Sequence, residues 1–186
     1  MIRVDIETIV MAAGPMPSVI VLRERATTGS GDTPQRALSI PTGPYEATVI
    51  SRGIEHKKSE RPITHDLMVQ VLSSIGARLE RVEITNLKSP VFYASLVMTV
   101  PESFDISDVK AIGAVSHSSA NRSQEISIDA RPSDAIALAV RMSAPIYVED
   151  DVMNRAGNIG TQNDSISEQD LERFDAFVQS VSPDDF

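Results

Sequence analysis

Cysteine is absent from the 186 residues, which excludes a disulfide framework, thiolate zinc sites and thiol catalysis, and fits a reducing, cytoplasmic setting. Tryptophan is absent too, and aromatics make up 4% of the chain, so a stacking platform for bases would have to be small. No stretch approaches the roughly 20 uncharged apolar residues that a membrane helix needs. Arg3, Asp5 and Glu7 break any apolar run of a signal peptide. Also missing are the phosphate loop G-x-x-x-x-G-K-[ST], the dinucleotide fingerprint G-x-G-x-x-G, the nucleophile elbow G-x-S-x-G and the zinc pair H-E-x-x-H. What is present is an ordinary globular composition, 41% hydrophobic and 23% charged, in a chain long enough to bury a core without metals or cross-links.

The formal net charge of −9 argues against a polyanionic partner until it is located along the chain. Residues 149–186 hold ten acids and two arginines, a net −8, while residues 1–148 carry a net −1. The acidity therefore belongs to the tail, and the body is close to neutral.

Ile2, Val4, Ile6 and Val10 alternate with charged residues, the period-2 pattern of a strand with one buried face. Val19 to Leu22 read as a second, antiparallel strand, and Ala37 to Ile40 as a short third. Pro44, Pro62 and Pro132 each precede a 3.6-period segment, where the fixed φ suits the first helical position. In the second of these helices Ile63, Leu67, Met68, Val71, Leu72 and Ile75 share one side, ending at Gly76, which predicts packing on a sheet face. The third, Pro132 to Met142, is apolar nearly all round and is expected to be the most buried helix. Leu79, Val82 and Ile84, then Val91 to Val100, then Ile126 and Ile128 read as strands, with Pro145 to Val148 as a short one. The strand content of 101–124 is left open by its lack of periodicity. The pattern is α+β, a mainly antiparallel sheet packed with helices.

This arrangement divides the chain into a domain over 1–155, a polar linker over 156–166 and an acidic C-terminal helix and tail over 167–186. In the last, Ser167 and Asp170 stand at capping spacing, Ile166 and Leu171 at staple spacing, and Leu171, Phe174, Val178 and Val181 form an amphipathic stripe.

Two polar clusters at helix starts carry most of the chemistry: Arg61-Pro62-Ile63-Thr64-His65-Asp66 and Asp129-Ala130-Arg131-Pro132-Ser133-Asp134. An Arg before a helix-starting Pro is extended, so its guanidinium projects near the free first-turn N–H groups, a good place for a phosphate. The plainer alternative is that Ser133 and Asp134 only satisfy first-turn donors while Arg131 pairs with Asp129. His65 sits at the margin of its helix's apolar face, with Asp66 pointing away from it; it reads either as a general acid or base or as a packed residue. Glu149-Asp150-Asp151 reads as an acidic first turn rather than a cation site. Arg52, His56, Lys57, Lys58 and Arg61 form the main basic concentration, a modest phosphate-facing patch or a solvated helix end.

Taken together these segments resemble the bifunctional nuclease family. The strongest match runs from Asp129 through Ala139 and on through Ala144-Pro145-Ile146-Tyr147-Val148; Arg61 to Leu67 and Val91-Phe92-Tyr93-Ala94 add to it. Pro41-Thr42-Gly43-Pro44 and the longer 101–124 segment depart from the family pattern. The resemblance implies an α+β homodimer with a groove that binds nucleic acid, no membrane association, and hydrolysis of DNA or RNA phosphodiesters with little sequence preference. In that reading His65, Asp66, Asp129 and Asp134 are the catalytic candidates, Arg61, Arg131 and Ser133 hold phosphate, and Asp129 and Asp134 hold Mg²⁺ or Mn²⁺. No organic cofactor is expected. The competing class is a non-catalytic dimeric module that binds a small anionic ligand or a protein partner.

Overall fold

The computed structural model describes residues 1–12, 16–26, 35–57, 60–101, 115–118 and 123–159. They form an α+β fold: a nine-stranded sheet, ordered β6-β7-β5-β4-β8-β1-β2-β3-β9, packed with four helices. The strands are β1 (Ile2–Val10), β2 (Ser18–Glu24), β3 (Arg36–Thr42), β4 (Arg78–Lys88), β5 (Val91–Pro101), β6 (Val115–Ser118), β7 (Ser123–Ala130), β8 (Ile146–Val148) and β9 (Gly157–Ile159). The helices are α1 (Pro44–Ile54), α2 (Thr64–Ser74), α3 (Pro132–Met142) and α4 (Asp150–Ala156). Two antiparallel halves meet at β8, which runs parallel to β4 and antiparallel to β1. A three-residue strand thus closes the sheet, and every other neighbouring pair is antiparallel.

β1 follows the expected alternation only to Ile6. A register shift between Ile6 and Thr8 adds a residue against β2, which exchanges the two faces from there on. Ile9 consequently packs on the core and Val10 is exposed, the reverse of what strict alternation gives. β4 carries the same device between Leu79 and Arg81, so that Leu79, Val82 and Ile84 are all buried although two residues separate the first pair. Within 101–124, β6 pairs with β7 and extends the sheet edge.

Pro44 and Pro132 occupy first-turn positions of α1 and α3, as their fixed φ favours. Pro62 does not: Ile63 is the N-cap of α2, and the proline stands outside the helix. α3 is the central helix. Ala135 to Ala139 are all buried, and it packs on β4, β5, α1 and α2. α2 departs from expectation, because it lies on α3 instead of on the sheet and contributes no fully buried residue. Its inward side is His65, Asp66, Val69 and Leu72, while Leu67, Met68, Val71 and Ile75 face outward. Gly76, at φ 74°, turns the chain from α2 toward β4.

The body runs beyond residue 155. α4 ends at Ala156, and Gly157–Ile159 pair with Arg36–Leu38 as β9. The remainder of the linker and the C-terminal amphipathic helix lie outside the described residues.

Candidate functional site

The two Arg-Pro clusters come from distant parts of the chain and converge where α2 meets the start of α3. Arg131 is the N-cap of α3 in an extended conformation (φ −66°, ψ 142°), as a residue before proline must be. Its guanidinium turns back along the first helical turn and grips Asp134 twice, from Nε to Oδ2 at 2.7 Å and from Nη2 to Oδ1 at 3.1 Å. His65 reaches the same carboxylate from α2, with Nε2 3.2 Å from Oδ1. Glu46 of α1 completes the corner, its Oε1 3.6 Å from Arg131 Nη1.

The members of this corner differ in exposure. The Arg131 side chain is 61% exposed and His65 only 12%. His65 Nδ1 is enclosed and has no hydrogen-bond partner among the described residues, and Nε2 is the nitrogen that meets Asp134. Burial pushes the Asp134 carboxyl up, but the hydrogen bonds and charge of Arg131, with a smaller contribution from His65, outweigh it and hold Asp134 below the usual carboxylate range. The Asp134 hydrogen bond in turn raises the Arg131 guanidinium. The N-cap side chain does not cap α3. Its first-turn N–H groups therefore keep their partial positive charge beside an exposed guanidinium.

A second polar tie lies one residue further along α2. Asp66 Oδ1 accepts from Arg141 Nε at 2.7 Å, and Oδ2 accepts from the Ile63 N–H at 3.2 Å. Arg141 also donates to the Ala137 carbonyl at 3.0 Å and the Val49 carbonyl at 3.2 Å, so one side chain joins α1, α2 and α3. Burial raises Asp66, and the Arg141 and Ile63 hydrogen bonds bring it below its ordinary value.

Of the residues singled out in the sequence, His65, Arg131 and Asp134 are brought into contact. Asp66 is adjacent but turned toward Arg141. Arg131 pairs with Asp134, not with Asp129, which is exposed on β7 opposite Ser95. Ser133 is half-buried in the first turn of α3, and Arg61 is exposed just before Pro62. Asp150 pairs with the N-terminal amine and Asp151 with Arg155, which makes the 149–151 acids a helix start. The sequence reading missed Arg141 and Glu46. The signal for Arg141 was a lone base in the last turn of an otherwise apolar helix.

Both Asp134 oxygens face partners, Oδ2 the Arg131 Nε and Oδ1 the Arg131 Nη2 and His65 Nε2. Among the described residues no group of three or more acidic or histidine side chains lies close enough to hold a metal.

The fold and this corner define an α+β protein whose polar residues are pinned at helix starts. The chain belongs to the bifunctional nuclease domain family, whose model matches residues 29–159 and so takes in every residue of the corner. Two uncharacterized proteins of Mycobacterium tuberculosis, from strains CDC 1551 / Oshkosh and H37Rv, are each 34% identical over 174 residues, covering 90% of this chain and 87% of theirs. That likeness extends beyond the family match and into β1 or β2.

Proposed function

We propose that the protein is a nuclease that hydrolyses phosphodiester bonds of DNA or RNA at the corner between α2 and α3. The observation that carries this reading is the meeting of His65 with Asp134 beneath an exposed Arg131 at an uncapped helix start. Arg131, Arg61, the Ser133 hydroxyl and the first-turn N–H groups of α3 hold the phosphate oxygens. His65 and Asp134, joined at Nε2 and Oδ1, act together as the acid–base pair. Groups that read phosphate and not base edges give little sequence preference, which suits the shortage of aromatics. The protein works as a homodimer in this reading, supported by the outward apolar stripe of α2, where Leu67 is 54% and Val71 51% exposed.

The test is cleavage of single-stranded DNA, RNA and duplex DNA, each with Mg²⁺, with Mn²⁺ and with a chelator. His65→Gln and Arg131→Ala should each lower the rate about 100-fold or more while thermal unfolding still shows a folded protein. Wild-type activity in a folded His65→Gln variant would overturn the assignment.

A further inference from the structure

Among the described residues one aromatic ring is left in solvent. Tyr45, in the first turn of α1, is 63% exposed, whereas Phe92, Tyr93 and Tyr147 are partly buried and Tyr93 already carries the Lys88 ammonium over its ring at 5.1 Å. The Tyr45 ring and hydroxyl have no hydrogen-bond, ring or cation partner among those residues.

The position of this ring is set by how α1 lies on α3. The two helices run side by side in the same direction: Glu46 meets Arg131 where both start, and two turns on the Arg141 guanidinium reaches the Val49 carbonyl and packs against Gly53, where a Cβ would stand 2.9 Å from Nη1. Both starts therefore open at one end of the pair, and His65 joins them there from α2 through Asp134. Tyr45 directly precedes Glu46, whose Oε1 lies 3.6 Å from Arg131 Nη1, so the ring leaves the backbone beside the corner.

The helical period gives its direction. Tyr45 and Arg52 are seven residues apart and share one side of α1, and Arg52 lines the cleft that runs between α1 and α2 over Arg141. Tyr45 thus continues the same wall about 10 Å nearer the corner. The neighbouring acid leaves the ring open. Glu46 folds back over Gly43, where a Cβ would collide with its carboxylate, and its Oε1 faces Arg131.

We propose that Tyr45 is the base-stacking residue of the corner: an unpaired base of a DNA or RNA strand lies on its ring while the adjoining phosphate is held at Arg131. This role rests on the nuclease reading of the corner and narrows its substrate to single strands. Stacking draws on the π-face that every base has, so it needs no excess of positive charge and makes no choice among bases. A duplex keeps its base faces against one another, and only an unpaired or flipped base is free to lie on the ring.

The test titrates the full-length protein with an oligothymidylate octamer, with an abasic octamer and with a DNA duplex, all carrying phosphorothioate linkages that resist cleavage. Tyr45→Ala removes an exposed ring, and thermal unfolding checks that the variant is folded. It should weaken oligothymidylate binding about tenfold and change the abasic strand and the duplex less than about twofold, while Tyr45→Phe binds all three as the wild type does. Arg131→Ala should weaken both single strands alike. Three tyrosines are the emitters of a chain without tryptophan, so oligothymidylate should quench part of the wild-type emission. The quench should shrink in Tyr45→Phe and be absent with the abasic strand. Wild-type affinity for oligothymidylate in Tyr45→Ala would overturn the stacking role, as would an equal loss toward the abasic strand, because the ring would then act on the phosphate or on the fold. Both outcomes leave the nuclease reading standing. That reading falls separately, on wild-type cleavage by folded His65→Gln, and failure of the wild type to bind any of the three probes would overturn the two together.

Discussion

α2 and α3 are both eleven-residue helices with a proline at or just before their start, yet they are held in opposite ways. α3 buries five consecutive residues, which gives apolar packing all round its middle, and carries its polar ties near its two ends. α2 buries none fully and leaves its richest apolar stripe outward. Its roll is set by two polar ties, His65 to Asp134 and Asp66 to Arg141, supported by Val69 and Leu72. The difference explains where the chemistry sits. A fully packed helix has no room for unpaired polar groups, whereas a helix docked through its polar edge brings titratable side chains into a half-buried seam where each finds a partner.

The sharpest way to break this contrast is to truncate one apolar residue in each helix. Leu138→Ala should cost about 2–5 kcal/mol by cavity formation, and Val71→Ala, which leaves no cavity, below about 0.5 kcal/mol. Urea unfolding of both variants checks it, and equal losses would mean that the two helices are held alike. Removing the tie itself should have a smaller but definite effect. Arg141→Ala strands Asp66 and two helix carbonyls and should cost about 1–3 kcal/mol. It should also speed hydrogen exchange in α2 more than in α3, because only α2 depends on that bond for its docking.

The smallest effect concerns acid. Asp66 and Asp134 are both held below their ordinary carboxylate values in the folded protein. The unfolded chain therefore binds more protons in the acidic range, and stability rises with pH there. The contribution is present above about pH 4, the unfolded carboxylate range, and is lost as pH falls through the lowered folded values. Asp66→Asn and Asp134→Asn should flatten that acid limb in urea midpoints measured between neutral pH and pH 2. A limb as steep as wild type in both variants would show that other carboxylates account for it.

The sequence showed α3 and most of the strands clearly, since alternation and an all-round apolar run report directly on burial, but it left β6 open and read the residues of β9 as linker. It showed Arg131, Asp134 and His65 as candidates, because residue types at helix starts have few roles. It was less informative about β1, where the register shift after Ile6 sends Ile9 inward in place of Val10. A bulge is set by pairing with β2 and leaves no period of its own. The partner of Arg131 was equally hidden, since Asp129 and Asp134 both lie within reach along the chain and only the turn of α3 selects Asp134.

By itself, then, the sequence determined an α+β chain with a buried helix over 132–142, an acidic tail, and two Arg-Pro starts rich in polar groups. Local spacing and hydrophobic period suffice for these, because they depend on residues near one another in the chain. Tertiary structure alone decided that α2 would turn its polar edge inward, that 69 residues of chain separation would close into a His65–Asp134 contact, and that Arg141 would join three helices. Those outcomes depend on which charges meet across packed elements, and a one-dimensional pattern carries the faces of a helix without saying what each face will touch.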